Sequence, residues 1–209
     1  MEIVNQAIEE YMLQLAGPSG SVLGRMEALA GEIEFPIVGP LVGRVLFQLA
    51  LLQGAKRILE LGSGFGYSAW WFAQALGEDD ELILTEFSAE NLQRARGFLG
   101  RAGLRPRMQF LQGDALELAG QLEGEFDIVF NDVDKHLYPQ VVEQVAPRLP
   151  SGGLLITDNV LWSGLVVDPS PQDRETAGIL EYNRLIFENP LFFSSILPIR
   201  DGVAVSIKV

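Results

Sequence analysis

The sequence predicts an α/β fold: a doubly wound, seven-stranded, mostly parallel sheet with an antiparallel last strand, preceded by extra N-terminal helices. Three observations carry this expectation. From residue 57 onward, short apolar runs alternate with longer amphipathic stretches, the pattern of successive βαβ units. A glycine-rich segment, Gly62-Ser63-Gly64-Phe65-Gly66, follows the first run and opens a helical pattern, where a backbone must turn tightly. Asp201-Gly202 separates the last two runs and is a hairpin signal, which reverses the final strand.

The N-terminal residues read as helices over 2–16, 21–33 and 41–53, interrupted by Gly17-Pro18-Ser19-Gly20 and by Pro36 and Pro40. Strands are then predicted at 57–61, 81–86, 108–112, 126–131 and 153–157. Helical patterns lie between them at 68–75, 89–100, 115–121 and 138–149. A further helix at 173–189 precedes two last strands at 193–198 and 203–209. No internal repeat, low-complexity tract or linker marks a second domain. One domain is therefore expected over 1–209, with a helical cap at 1–54 and an α/β core at 55–209.

Composition narrows the function classes. A hydrophobic content of 48% and a charged content of 21% suit a globular chain. No apolar run approaches the roughly 18 residues that span a bilayer, and the N-terminal residues lack the basic-then-apolar pattern of a leader. The expected location is the cytoplasm, with no membrane partner. Fifteen Lys and Arg against 28 Asp and Glu give a net charge of −13, which argues against nucleic acid as a partner. The absence of cysteine excludes disulfides, thiolate zinc sites and cysteine nucleophiles, and the single His136 argues against a histidine-rich metal site.

Two acidic clusters stand out. Asp132-Val133-Asp134-Lys135 follows the apolar run at 126–130, and Asp158-Asn159 follows the run at 154–157. The carboxyl ends of parallel strands form the ligand crevice, so the clusters bring hard oxygen donors and an amine together. That predicts a metal site with a built-in base. Asp134 is expected to cap the following helix rather than to ligate, since it points away from Asp132 if the strand continues. His136 is expected as an ordinary surface or capping residue, and Trp70 and Trp71 as core residues of a helix. Tyr138, Tyr182, Asn183 and Arg184 either edge the ligand pocket or face an interface or solvent.

Glu86 ends the second predicted strand, the position of an acid that hydrogen-bonds the ribose hydroxyls of an adenosine. With the glycine turn it implies an adenosine-containing ligand; a purely structural turn is the alternative. The glycines are spaced G-x-G-x-G rather than G-x-G-x-x-G, and Glu60 stands two residues before the first. An acid there repels a pyrophosphate but accepts from an α-ammonium group, which favours S-adenosylmethionine over NAD. Asp114, in Gly113-Asp114-Ala115, has two open readings: an acceptor for an adenine amino group, or the N-cap of the next helix.

These segments resemble a known family, the metal-dependent, S-adenosylmethionine-dependent O-methyltransferases that include catechol O-methyltransferase and the caffeoyl-CoA O-methyltransferases. The resemblance rests on the runs at 59–68 and 126–135, on the run at 152–162, and on Leu197-Pro198-Ile199-Arg200-Asp201-Gly202. It extends from about Val38 to the C-terminus, and the Asp-x-x-Lys followed by Asp-Asn is its most specific part. The implied fold is the Rossmann-like class I methyltransferase fold. Asp132, Asp158 and Asn159 match the family's metal ligands, with Mg²⁺ the implied cation, and Lys135 matches its general base. Val38, Glu60, Gly62, Tyr67, Ser68, Glu86 and Ala115 fall on cofactor-binding positions, Ser68 at the methionine carboxylate. Gly64, Gly66, Asp114 and Asp132 belong to the same expected cofactor set. Trp162 aligns with an aromatic residue that packs on the substrate ring. Asn131 departs from the usual apolar residue, Arg200 departs from the usual glycine, and the segment between Trp162 and Asn183 matches weakly. Relatives are commonly homodimers, so a homodimer is expected.

The expected activity is transfer of a methyl group from S-adenosylmethionine to a hydroxyl of a catechol-like or other vicinal-diol phenol. Two oxygens of such an acceptor would fill two of the positions left open on a cation held by two carboxylates and an amide, and coordination would acidify the hydroxyl that Lys135 deprotonates. A metal-independent methyltransferase for another small molecule would share the glycine turn and Glu86, but has no use for the Asp132, Asp158 and Asn159 set. A non-catalytic S-adenosylmethionine-binding protein is the rival of a different class. No G-x-S-x-G elbow or P-loop supports a hydrolase, and Glu60 with the glycine spacing disfavours a nicotinamide oxidoreductase.

Overall fold

A computed structural model describes residues 3–168 and 173–209. Three helices open it: α1 (Gln6–Ala16), α2 (Ser21–Glu32) and α3 (Gly39–Gln53). The alternating core follows as β1 (Arg57–Leu61), α4 (Tyr67–Ala75), β2 (Glu81–Glu86), α5 (Ala89–Arg101), β3 (Arg107–Gln112), α6 (Ala115–Gln121), β4 (Ile128–Asn131), α7 (Tyr138–Val145), β5 (Leu154–Thr157), α8 (Arg174–Glu188), β6 (Phe192–Leu197) and β7 (Val203–Lys208).

The strands form one sheet in the order β3-β2-β1-β4-β5-β7-β6. All pairings are parallel except those of β7, which runs antiparallel to both β5 and β6, as expected. The register aligns Leu61 with Asn131 and Asn131 with Thr157, so β1, β4 and β5 end at one level. Asp132 and Asp158 therefore leave neighbouring strands side by side.

Strand alternation divides the core into two layers. Ile58, Ile128, Phe130 and Ile156 pack under α2, α3 and α4, against Met26, Val42, Leu46 and Phe72. Leu59, Val129 and Leu155 face the other way, toward Tyr138 and Val141 of α7 and Tyr182 and Ile186 of α8. Each such fully buried side chain contributes about 1.5–3 kcal/mol. The two layers clamp the sheet from both faces, and that rigidity fixes the strand ends carrying the acidic clusters.

Several boundaries differ from expectation for local reasons. The first helix starts at Gln6 because the Asn5 side chain caps it, accepting from the Ala7 N–H at 3.0 Å; the expected start at residue 2 lies outside the described residues. Pro40 sits in the first turn of α3, where its missing N–H costs nothing. The expected 138–149 helix ends at Val145 and continues as a 3₁₀ turn at Ala146–Arg148, because Pro147 cannot donate the next bond. Residues 198–202, rather than Asp201-Gly202 alone, form the loop between β6 and β7, with Arg200 and Gly202 in left-handed backbone (φ 49° and 83°).

Candidate active site

A cavity of about 780 Å³ opens at the carboxyl ends of the parallel strands. At one end it is lined by Val38, Gly62, Gly64, Tyr67, Ser68, Glu86, Asp114 and Ala115, and at the other by Asp132, Lys135, Asp158, Asn159 and Trp162. Of the expected site residues, only Glu60 and Gly66 do not line it. Gly66 (φ 87°) starts α4 and packs against Ala95 and Leu99. Glu60 is fully buried behind the lining residues.

The first end is built by the glycine turn and its supports. The Gly62 and Ser63 N–H groups donate to the Thr85 carbonyl at 3.2 and 2.9 Å. Gly62 has φ 82°, and a Cβ there would come within 2.5 Å of the Asp132 carbonyl oxygen, so only glycine lets the β1 and β4 loops approach. Glu86 accepts from the Gly64 N–H (3.0 Å) and the Ser88 N–H (2.9 Å), which fixes its carboxylate at the cavity wall. Asp114 fulfils its capping reading, accepting from the N–H groups of Leu116 and Glu117 at 2.9 and 3.0 Å, and it also lines the cavity. The helical cap reaches this end too: Glu27 of α2 accepts from the Tyr67 hydroxyl (2.7 Å) and the Ser19 hydroxyl (2.6 Å).

Glu60 is the electrostatic anomaly here. Burial pushes its carboxyl up to about 8; the Ser68 hydroxyl beside it offsets part of this, and the Asp132 charge adds to it. Neither carboxylate oxygen has a partner of hydrogen-bond geometry. A buried acceptor without a donor is costly unless a ligand supplies one.

At the second end, the Lys135 Nζ donates to Asp132 Oδ1 at 2.7 Å, and its side chain is only 14% exposed. The same nitrogen lies 6.0 Å from the centre of the Trp162 ring. Lys135 occupies a 3₁₀ turn at Lys135–Leu137, and Trp162 begins another at Trp162–Val167; neither turn was foreseen. Asp158 is buried, and its Oδ1 has no partner. Burial and then the Asp132 charge push its carboxyl up to about 7. Burial likewise raises Asp132, against the pull of Lys135. Asn159 follows in left-handed backbone, φ 58°. A part-buried carboxylate, Asp132, thus pairs with the Lys135 ammonium beside a buried one, Asp158, of which one oxygen is orphaned. That environment suits a hard cation. Among the described residues no group of three or more His, Cys, Asp or Glu side chains can hold a metal, so a cation here would rest on two carboxylates and the Asn159 amide. These donors fit Mg²⁺, which takes oxygen ligands and keeps open positions.

The expected bystanders divide. Tyr138 and Tyr182 do not edge the pocket: both are fully buried, because their hydroxyls are taken up by the end of β5 from behind. Tyr138 donates to the Asp158 carbonyl (2.9 Å) and Tyr182 to Thr157 Oγ1 (2.7 Å), with their rings 5.5 Å apart. Asn183 donates to the Val160 carbonyl at 2.9 Å, and Arg184 pairs with Glu181 and Glu188 at the surface. Asp134 stands at a cap position, but only its carbonyl serves, accepting from the Leu137 N–H at 2.9 Å; its carboxylate caps nothing. His136 is not an ordinary surface residue, since Glu175 of α8 accepts from its N–H and meets its ring Nδ1, each at 3.0 Å. Trp70 and Trp71 pack against the core, as expected. Asn131 is fully buried with its Oδ1 unpartnered and its Nδ2 3.5 Å from Thr157 Oγ1. Glu175 and Phe87 line the cavity without having been anticipated. Phe87 was legible as the neighbour of Glu86; Glu175 reaches the site only through the packing of α8.

Comparison with known proteins agrees with this geometry. A family model described as O-methyltransferase matches residues 33–209. A catechol O-methyltransferase of Niastella koreensis is 30% identical over 213 residues, covering 97% of this chain and 96% of that protein. An O-methyltransferase from Bacillus cereus, solved in complex with S-adenosylhomocysteine, is 28% identical with a TM-score of 0.88, covering 97% of each chain. An O-methyltransferase of Streptomyces achromogenes involved in tomaymycin synthesis, solved with S-adenosylmethionine, is 25% identical with a TM-score of 0.86, covering 97% of this chain and 96% of that one. The sheet order, the cavity at its carboxyl edge and these matches over nearly the whole chain lead to one conclusion: the chain belongs to the S-adenosylmethionine-dependent O-methyltransferases.

Proposed function

We propose that this enzyme methylates a hydroxyl of a catechol-like, vicinal-diol phenol, with a divalent cation, Mg²⁺, held by Asp132, Asp158 and Asn159. The observation that carries this reading is the pair of carboxylates, Asp132 and the buried, partly unpartnered Asp158, beside the Lys135 ammonium, at the end of the cavity opposite the glycine turn. A metal-free methyltransferase or a passive binding protein has no use for that arrangement.

S-adenosylmethionine supplies the sulfonium methyl. Glu60 accepts from its ammonium, Ser68 donates to its carboxylate, Glu86 accepts from the ribose hydroxyls and Asp114 from the adenine amine. Val38, Gly62, Gly64, Tyr67 and Ala115 shape the walls around it. The cation supplies Lewis acidity that lowers the pKa of the acceptor hydroxyls. Lys135 takes the phenolic proton at Nζ, and Asp132, 2.7 Å from that nitrogen, aims it. Trp162 packs on the acceptor ring. Holding two reactants in line is worth about 7–11 kcal/mol of the barrier, the largest single contribution in this scheme.

The chain acts as one domain over 1–209, in the cytoplasm and as a homodimer. The exposed α1 residues Ile8, Tyr11 and Leu15 support the homodimer, which light scattering at assay concentration checks. Activity is tested by a screen of catechols, flavonoids and caffeoyl thioesters with labelled S-adenosylmethionine and Mg²⁺. Label in a mono-O-methylated product is expected. Cofactor binding with no transfer to any vicinal diol overturns the acceptor assignment.

A further inference from the structure

The loop at 198–202 touches both ends of the cavity. Arg200 stands in left-handed backbone, a conformation that favours glycine, and glycine is the usual residue in the motif this loop resembles. Its side chain does what a glycine cannot: Nη1 donates to the Ile37 carbonyl at 2.6 Å. Gly39 makes room for it, since a Cβ there would lie 2.5 Å from the same nitrogen. Ile37 and Val38 are cavity wall at the cofactor end, and the neighbouring Phe35 ring packs 5.0 Å from Phe65 of the glycine turn.

The same loop is bonded on its other side to the acceptor end. The Gly202 carbonyl accepts from the Val160 N–H at 3.0 Å and the Asp201 carbonyl from the Leu161 N–H at 2.9 Å, while the Asp201 carboxylate accepts from the Ser163 N–H. These bonds frame Asn159 and Trp162. One loop therefore fixes the 35–38 wall and the 159–163 segment at once, and the Arg200 side chain supplies its bond to the wall.

We infer that Arg200 is a positioning residue that couples the cofactor end to the acceptor end, so that a ligand packed against the 35–38 wall orders the 159–163 segment. The inference rests on the cofactor reading, but not on the acceptor or on a metal. Coupling of this kind is reciprocal and needs no displacement of the backbone, only a shared restriction of motion.

Amide hydrogen exchange of the full chain, without added metal, tests it. S-adenosylhomocysteine at saturation is expected to slow exchange at 159–163 about fivefold, in the usual range of couplings between sites. Arg200→Gly, which the backbone accepts readily, is expected to abolish that slowing while the ligand still protects 62–68. Arg200→Lys restores part of it. Equal slowing in Arg200→Gly overturns the inference, and so does an Arg200→Lys that behaves like the glycine variant. Wild-type protein protected at 62–68 but not at 159–163 also overturns it. Loss of protection at both segments together with a lower melting temperature marks a merely structural residue and has the same effect. Absence of protection at 62–68 in the wild type overturns the cofactor reading as well, whereas intact coupling with no methyl transfer to a diol refutes the acceptor assignment alone.

Discussion

Replacing Glu60 by Gln separates the electrostatics of the cofactor end from its shape. The Glu60 carboxyl rises from 4.5 to about 8 on burial. A difference of ~3.5, at about 1.36 kcal/mol per pKa unit, comes to ~5 kcal/mol, an upper bound because buried sites relax around a charge. The folded value lies above the unfolded one, so the contribution to stability is fully present below about pH 4.5 and is lost as pH rises through about 8. The ligand-free enzyme should therefore weaken across that window, and Glu60→Gln should lack this part of the slope. Asp158 titrates in both proteins and cancels in the difference. Urea denaturation should show near-equal stabilities at pH 5 and a gain of several kcal/mol for the variant at pH 8. The effect on the ligand has the opposite sign. A charge-assisted hydrogen bond is worth about 1.5–3 kcal/mol, so calorimetry at pH 7.5 should show the variant binding S-adenosylhomocysteine roughly 10- to 100-fold more weakly. It should bind 5′-methylthioadenosine, which lacks the ammonium, as the wild type does. Parallel stability curves, or unchanged S-adenosylhomocysteine affinity, would refute the reasoning.

Lys135→Ala should lower kcat by about 10²–10⁴ while leaving the Kd of S-adenosylhomocysteine unchanged; a near-normal rate with a catechol removes Lys135 from the base role. Gly178→Ala would drive a Cβ from α8 into the Lys135 carbonyl, and denaturation should report a loss of about 1–3 kcal/mol accompanied by lower kcat. Tyr182→Phe removes the hydroxyl that donates to Thr157 and should cost about 1 kcal/mol by the same assay, with the acceptor KM little changed. A large KM change would return Tyr182 to the pocket edge.

The sheet was legible because most of its strands are short apolar runs, and two inner ones, β4 and β5, are buried on both faces. The cavity wall at the glycine turn was legible for a related reason: a turn that demands glycine, and an acid at a strand end, leave local marks. The 3₁₀ turns carrying Lys135 and Trp162 left none, because one is only three residues long and the other is broken by left-handed backbone at Ser163 and Gly164, so neither has a period to detect. For Tyr138 and Tyr182 the sequence left pocket edge and interface or solvent both open, yet their hydroxyls reach the end of β5 from behind the sheet. Only the packing of α7 and α8 decides which side of the strand end a tyrosine faces. The clasp of His136 by Glu175 and the tie of Arg200 to Ile37 join residues far apart in sequence, beyond what spacing encodes.

Methyl transfer to 3,4-dihydroxybenzoate, measured with labelled S-adenosylmethionine before and after removal of divalent cations, tests the central claim most directly. Activity should fall by at least about 100-fold on chelation and return with Mg²⁺, while S-adenosylhomocysteine binding stays intact. Unchanged turnover in the chelated enzyme would contradict the role given to Asp132, Asp158 and Asn159.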